Sequence, residues 1–327
     1  MIEAILHGAR DLRLETQPDP IPGPHDVFVR THVTALSTGT ELGNYEGRSR
    51  EVPDAPHYPR RTGYCNVGTV ESTGNLVTRF RPGDRVLSML PHVSAFVAPE
   101  NSLLVPLPDK VEAPQAALTY LAQLGVAALR QARYEAGEPV TVIGLGVIGL
   151  ATVAMAKAMG ASVTAVSNSR LRAAAALRMG AQRVILPEDP AETNVSPLIV
   201  LTANPWSAYQ TAVQMADYGG RIAILGFPGR NEPAPSFNPL DSAWFYGKQL
   251  TIIGAGYSPR LDCPPAALRF NLRRNLEYIL QSMASGAINL QPLITHHLPA
   301  ARMQEAYELA SQHDKSLIAT VFNWSGA

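Results

Sequence analysis

Residues 139–149 read Pro139-Val140-Thr141-Val142-Ile143-Gly144-Leu145-Gly146-Val147-Ile148-Gly149. This is a short apolar strand that runs straight into G-x-G-x-x-G. Residues 150–160, rich in alanine and methionine, continue as a helix. Glycines are common, so the motif gains its meaning from the strand before it and the helix after it. Gly144 allows a tight turn, Gly146 lets a pyrophosphate approach the backbone, and Gly149 lets the helix pack against the strand. The helix N-terminus offers the free amides of Val147 and Ile148 and a partial positive charge to the phosphates. The stretch therefore predicts a dinucleotide site. The plainer alternative is a glycine-rich strand-to-helix turn with no ligand.

The next strand, Ala161 to Val166, decides which dinucleotide. An Asp or Glu roughly 20 residues past the glycines would hold the ribose 2′-hydroxyl of NAD. The strand instead ends in Ser167-Asn168-Ser169-Arg170-Leu171-Arg172, which holds no carboxylate. Arg170 or Arg172 would pair with a 2′-phosphate through charge-assisted bonds, and Ser167 and Ser169 would add donors. The expectation is NADP(H). Against it stands the bland reading of both arginines as solvated residues of the following helix.

Composition bounds the rest. A chain of 327 residues suggests two domains, and 46% apolar residues supply a substantial core. Basic and acidic residues balance at 27 each, so no general electrostatic drive toward nucleic acid or a membrane surface exists. No basic, apolar leader opens the sequence. No apolar run reaches the ~18–20 residues of a membrane span. The only cysteines, Cys65 and Cys263, are far apart, which excludes a disulfide framework and fits a reducing, cytoplasmic setting. Adjacent His296 and His297 would face opposite sides of a strand, a poor metal pair.

Residues 1 to about 120 alternate in short, turn-punctuated runs: 2–6, 12–15, 27–33, 68–72, 82–86, 94–99 and 103–107. This pattern reads as a small β-barrel. Pro114 to Arg133 reads as a helix. Strand and helix then alternate, which implies a parallel sheet covered on both faces. Its last strand is expected at Leu250–Gly254, followed by an amphipathic helix over Pro264–Ser285, a helix over Ala300–Ser311 and a closing strand over Leu317–Phe322. Ala203-Asn204 and Gly226-Phe227 end two later strands and should line the cofactor edge. Gly254-Ala255-Gly256-Tyr257 should approach the nicotinamide end.

Several segments in this order resemble the medium-chain dehydrogenase/reductase superfamily, the alcohol dehydrogenase and quinone oxidoreductase group. Ser37-Thr38-Gly39-Thr40-Glu41-Leu42 stands where the family has C-G-S-D-L. Thr62-Gly63-Tyr64-Cys65-Asn66-Val67-Gly68 resembles its G-H-E-x-x-G segment. Pro82-Gly83-Asp84-Arg85-Val86 resembles its G-D-R-V turn, and Gly144–Gly149 with Gly219-Gly220-Arg221-Ile222 resemble its Rossmann landmarks. Glu305-Ala306-Tyr307 matches the E-A-Y of its final helix. The resemblance implies an α/β chain with a Rossmann doubly wound parallel sheet and a GroES-like β-barrel substrate domain. The expected division is 1–122 for the substrate domain, 123–257 for the Rossmann domain, and 258–327 returning to the first. A homodimer and a small-molecule substrate are implied by the family.

The departures from the pattern matter more. Zinc members hold a catalytic ion with Cys, His and Cys or Glu. Here those positions carry Thr38, Tyr64 and, by looser alignment, Tyr120, and neutral hydroxyls are poor zinc ligands. The segment between Leu87 and Ser94 is too short for the family's structural zinc lobe. The expectation is therefore no metal. Thr40 occupies the family's proton-relay position, and Tyr64 and Tyr120 are the other catalytic candidates, since a phenol can donate a hydrogen bond to a carbonyl or enolate oxygen. The alternative is that both tyrosines fill the volume of a lost metal site and that Thr40 caps a turn. Glu41 is expected to be structural, through hydrogen bonds in its turn. Tyr45 and Arg60-Arg61 are expected beside the substrate cleft.

Three functions follow as expectations. The first is a zinc-independent, NADP(H)-dependent oxidoreductase that delivers hydride to an activated C=C or a quinone. The second is metal-free carbonyl–alcohol interconversion in a biosynthetic pathway, pointed to by short segments similar to the bacteriochlorophyllide dehydrogenase branch. The third is a non-catalytic NADPH-binding protein on a dehydrogenase scaffold, since fold does not imply activity.

Overall fold

The structure, a computed structural model, describes residues 1–48, 57–256, 258 and 270–326. The chain opens with β1 (Ile2–Gly8), β2 (Asp11–Thr16), β3 (Asp26–Ala35), the short helix α1 (Thr40–Tyr45) and β4 (Arg60–Arg61). It continues through β5 (Asn66–Thr73), β6 (Arg85–Ser88), β7 (Ala95–Pro99) and β8 (Leu104–Pro106) to helices α2 (Ala113–Ala116) and α3 (Thr119–Gln131). Then come β9 (Pro139–Ile143), α4 (Val147–Ala158), β10 (Ser162–Val166), α5 (Arg170–Arg178), β11 (Arg183–Ile185), β12 (Ser196–Leu201), α6 (Trp206–Met215), β13 (Ala216–Ile224) and β14 (Thr251–Gly254). The chain closes with α7 (Leu272–Ala284), β15 (Ile294–Pro299), α8 (Met303–Ser311) and β16 (Ala319–Asn323).

These elements form two compact units, residues 1–120 with 294–327 and residues 121–293. In the first unit, a sheet runs β15-β16-β3-β5-β6-β8, with β7 also paired to β3, and a smaller sheet runs β2-β1-β4. The C-terminal strand joins by antiparallel pairing, Phe322 opposite Thr34. β3 and β5 carry runs of consecutive buried residues, Val27–Val29, Val33–Ala35 and Asn66–Gly68, so both faces of these strands are covered there. One core gathers Leu6, Leu36, Tyr45, Tyr307 and Phe322; another gathers Val27, Val29, Val86, Phe96 and Leu104.

The second unit is a sheet in the order β11-β10-β9-β12-β13-β14, every pairing parallel. Its register sets the site. Ile143 lies opposite both Val166 and Leu201, Leu201 opposite Ile224, and Ile224 opposite Gly254. Five strands therefore end level, and the segments leaving them crowd one edge. α4 covers the sheet beside β9 and β10 with a helix buried along most of its length, the reason its sequence is apolar almost all round.

Two expectations are corrected, the single helix over 114–133 and the return of the chain at residue 258. The single helix over Pro114–Arg133 is two, because Ala117 and Leu118 break it. Ile294–Pro299 is a strand, made so by parallel pairing with β16 and not by a local pattern. Residues 264–269 of the expected amphipathic helix, with Cys263 and Tyr257, lie outside the described residues; the helix that is described begins at Leu272, where the Asn271 side chain accepts the Arg274 amide. The chain returns to the first unit at Ile294 and not at residue 258. α7 is held to α3 instead: the Arg130 guanidinium donates to Asn275 Oδ1 and lies over the Phe270 and Tyr278 rings. Among the described residues, no helix is long and apolar enough to cross a membrane.

Candidate functional site

In the second unit, the glycine loop leaves β9 at the level edge. Gly144 has φ +92°, a conformation that suits glycine. A Cβ there would sit 2.7 Å from the Ala203 amide nitrogen. The Thr202 hydroxyl donates to the Gly144 carbonyl at 2.7 Å and fixes the turn from β12. A Cβ on Gly149 would sit 1.9 Å from that same carbonyl oxygen, so α4 can lie this close to the loop only without a side chain. Gly146 differs: nothing lies within 4 Å of a Cβ built on it. The space over Gly146 is open, and the first-turn amides of Val147, Ile148 and Gly149 have no acceptor within their own helix. This cradle fits a pyrophosphate.

The other expected cofactor residues gather on this edge. At the end of β10, the Ser167 hydroxyl accepts the Ser169 amide at 3.1 Å, and the Ser167 amide donates to the Ile185 carbonyl at 3.1 Å. Ser167 and Ser169 are buried, and Asn168 and Arg170 are exposed. Arg170 pairs with Glu188, a carboxylate from beyond β11. Arg172 is half-buried, and that burial lowers its pKa below the usual guanidinium range. Asn204 Oδ1 accepts the Phe227 amide at 2.9 Å. A Cβ on Gly226 would meet the Ala203 carbonyl at 2.6 Å. The Ala255 amide donates to the Ile224 carbonyl at 2.9 Å, while Gly254 and Gly256 leave open space around their Cα atoms.

In the first unit, the segment from Ser37 to Glu41 and the Gly63-Tyr64 segment meet over a buried polar network. Glu41 is 1% exposed. Its carboxylate accepts the Ser37 amide at 3.0 Å, His92 Nε2 at 2.9 Å and the Tyr307 hydroxyl at 2.6 Å. Thr62 Oγ1 lies 2.9 Å from the Tyr307 hydroxyl. His92, fully buried, places Nδ1 2.8 Å from Thr34 Oγ1, which also accepts the Trp324 indole N–H at 3.0 Å. An ionised Glu41 carboxylate can only accept, so Nε2 carries a ring proton toward it. Gly63, at φ +93°, lies flat on this histidine: a Cβ would come within 2.6 Å of the ring.

Above the network, the Tyr64 hydroxyl donates to Ser37 Oγ and also bonds Thr40. Its ring meets Tyr120 edge-on, centroids 5.2 Å apart at 77°. Burial raises the Tyr64 pKa well above 10.0, and Glu41 and Cys65 push the same way. The phenol is therefore neutral at physiological pH, a donor and acceptor but not a phenolate base. Burial likewise raises the thiol of Cys65 well above its ordinary value of 9.0, so it is not a thiolate nucleophile.

The structure thus brings Thr40, Tyr64 and Tyr120 together in the first unit and the cofactor candidates together in the second. Glu41 bonds within its turn, and beyond it. Tyr45 is corrected: it is fully buried, packs 5.0 Å from the Tyr307 ring and donates to Glu308, a core residue and not a cleft residue. Arg61 pairs with Glu3 at 2.7 Å as β4 adds to β1. Sequence reasoning missed Ser37, His92, Tyr307, Thr34, Trp324, Thr202 and Glu188. Ser37 and Tyr307 lie in segments quoted for the resemblance, which gave them no role in the site; the other five sit in no motif, so spacing carried no signal for them.

Comparison with known proteins places this geometry in a class. The profile described as "Alcohol dehydrogenase GroES-like domain" matches residues 23–102, and the one described as "Zinc-binding dehydrogenase" matches residues 147–271. The chain belongs to the medium-chain dehydrogenase/reductase superfamily of oxidoreductases, with the GroES-like and Rossmann α/β fold of that class. Among its relatives, the sorbitol dehydrogenase of Ovis aries is 26% identical, covering 95% of this chain and 93% of that protein. The sorbitol dehydrogenase of Bacillus subtilis is 25% identical, covering 95% and 94%. The crystal structure of galactitol-1-phosphate dehydrogenase from Escherichia coli superimposes with a TM-score of 0.83 at 20% identity, covering 99% of this chain and all of that one.

The class implies zinc, and the residues present do not fit it. Thr38, Tyr64 and Tyr120 offer hydroxyls where zinc takes thiolate, imidazole or carboxylate. Among the described residues, no group of three or more His, Cys, Asp or Glu is placed to hold a metal ion.

Proposed function

We propose that this chain is a zinc-independent, NADP(H)-dependent reductase acting on an activated C=C or a quinone of a small organic substrate. One observation carries the reading: a neutral phenol, Tyr64, bonded to Ser37 and Thr40, stands where the family's ligand histidine would be. Oxidising an alcohol requires a Lewis acid or a base to take its proton, and a phenol held protonated supplies neither. Hydride delivery to an enone or quinone needs a hydrogen bond to oxygen as negative charge builds there, which the hydroxyls of Tyr64 and Thr40 can give, and the resulting anion then takes its proton from solvent.

In this reading, Gly144, Gly146, Val147, Ile148 and Gly149 hold the pyrophosphate. Ser167, Asn168, Ser169, Arg170 and Arg172 meet the adenosine ribose, and Ala203, Asn204, Gly226, Phe227, Gly254, Ala255 and Gly256 line the nicotinamide side. When bound, the dinucleotide supplies the hydride. With substrate bound, the Tyr64 hydroxyl turns from Ser37 Oγ to donate to the substrate oxygen, Ser37 and Thr40 donate to the phenol oxygen in turn, and Tyr120 fixes the ring of Tyr64 by edge contact. A homodimer is part of the same proposal.

A second reading is metal-free carbonyl–alcohol interconversion; the sorbitol dehydrogenase relatives favour its alcohol–carbonyl chemistry. NADPH consumption with a panel of enones and quinones, beside NADP⁺ reduction by secondary alcohols, separates the two. Tyr64→Phe should lower kcat about 100-fold with nucleotide binding unchanged. Turnover of alcohols alone, near-stoichiometric zinc in protein purified without added metal, or tighter binding of NADH than of NADPH would each overturn a part of the first reading. Tight NADPH binding without turnover would favour a non-catalytic role.

A further inference from the structure

This inference rests on the dinucleotide reading of the second unit. The end of β10 has no carboxylate of its own, yet the fold brings one there. β11 pairs in parallel with β10, Val166 opposite Ile185, and the Ser167 amide donates to the Ile185 carbonyl at 3.1 Å. The chain leaving β11 is thereby fixed beside the chain leaving β10. It then turns sharply. Asp189 accepts the Leu186 amide on its carboxylate at 2.7 Å, and its own amide donates back to the Leu186 carbonyl at 3.0 Å. Beyond the turn, Glu192 holds both terminal nitrogens of Arg183 in a bidentate pair at 2.7 and 2.5 Å. A turn anchored on both sides presents Glu188 to the Arg170 guanidinium at the N-terminus of α5.

Both partners face water, with Arg170 82% and Glu188 49% exposed. An ion pair this open is weak and exchangeable. It also contains the two chemistries that distinguish the nicotinamide cofactors: a carboxylate accepts a ribose 2′-hydroxyl, and a guanidinium clamps a 2′-phosphate.

We propose that Arg170 and Glu188 form a two-way selector for the cofactor's 2′ substituent. Glu188 accepts the 2′-hydroxyl of NAD(H). A 2′-phosphate, carrying more charge than a carboxylate, displaces Glu188 and takes Arg170. The pair therefore admits both cofactors, and Glu188 moderates the preference for NADP(H) by competing for Arg170 and by repelling the phosphate.

The test is titration of the full chain with NADPH and with NADH at one fixed ionic strength, for the unaltered protein, Glu188→Gln and Arg170→Gln. Glu188→Gln should tighten NADPH and weaken NADH, moving the ratio of the two Kd values by about tenfold. Arg170→Gln should weaken NADPH by about tenfold or more and leave NADH within about twofold. Both residues are exposed, so unchanged thermal midpoints should accompany these shifts. A Kd ratio that Glu188→Gln leaves unmoved overturns the selector while the dinucleotide reading stands. Binding of neither nucleotide by the unaltered protein overturns both.

Discussion

The glycine loop of the second unit and the hydroxyl cluster of the first are built in opposite ways. The loop works by atoms it lacks: three glycines within six residues, each fitted against backbone or left open. The cluster works by side chains it gathers. Thr34, Glu41, Thr62, His92, Tyr307 and Trp324 come from both ends of the chain to hold one turn. A site made of backbone can be destroyed by adding one methyl group. A site made of side chains should fail by losing one acceptor.

The largest effect should fall on the cluster. Glu41→Ala removes an acceptor of three buried hydrogen bonds and leaves three donors without it. It should cost about 1–3 kcal/mol for each buried donor left unsatisfied, read as a lower urea midpoint with unchanged m-value. A cost near 0.5 kcal/mol, typical of a surface substitution, would mean that the network does not hold the turn.

Next comes the loop, and here two glycines part. Gly149→Ala drives a methyl group to 1.9 Å from the Gly144 carbonyl and should cost about 1–3 kcal/mol, as overpacking does, with loss of nucleotide binding. Gly146→Ala meets nothing within 4 Å. It should leave the urea midpoint in place and still weaken the nucleotide, because the methyl group occupies the space over the cradle. Equal effects of the two substitutions on stability, or no effect of Gly146→Ala on nucleotide Kd, would break the contrast.

The same difference explains what could be read in advance. Gly144, Gly146 and Gly149 lie next to one another in sequence and act through their own backbone, so the fold of the second unit and its phosphate side were legible. Thr38 and Tyr64 were legible as departures from a pattern. His92 and Tyr307 were not, because what matters is their meeting with Glu41 across 51 and 266 residues of sequence. Glu188 was hidden for a related reason: it lies 18 residues past Arg170, in a turn that only the pairing of β11 with β10 brings back. Ile294–Pro299 carries little alternation of its own and is a strand because β16 pairs with it.

The smallest effect, measured per group, is also the broadest, and it separates the units by pH. Three tyrosines of the first unit, Tyr45, Tyr64 and Tyr307, have pKa values raised above 10.0 by burial. Glu308 and Glu46 face the first against the opposing charge of Arg10, Glu41 and Cys65 face the second, and Glu41 with Tyr64 faces the third. The Cys65 thiol is raised above 9.0 by burial and Glu41. In each case the folded chain keeps a proton that the unfolded chain gives up. The stability they contribute is present below pH 9–10 and is lost as pH rises from there. The limiting slope is about 1.4 kcal/mol per pH unit for each group. In the second unit, Tyr209 behaves alike, but the Lys248 ammonium, capping the carbonyls of Val213, Gln214 and Ala216, has its pKa lowered from 10.5 by burial. There the unfolded chain holds the extra proton, so that contribution rises with pH until 10.5 is passed. Urea midpoints taken from pH 8 to 11 should therefore fall, and the first unit should become protease-sensitive before the second. Tyr307→Phe should flatten the decline above pH 10 by about 1.4 kcal/mol per pH unit. An unchanged slope in that variant would mean that Tyr307 ionises as freely in the folded chain as in the unfolded one, and that the network around Glu41 is open to water.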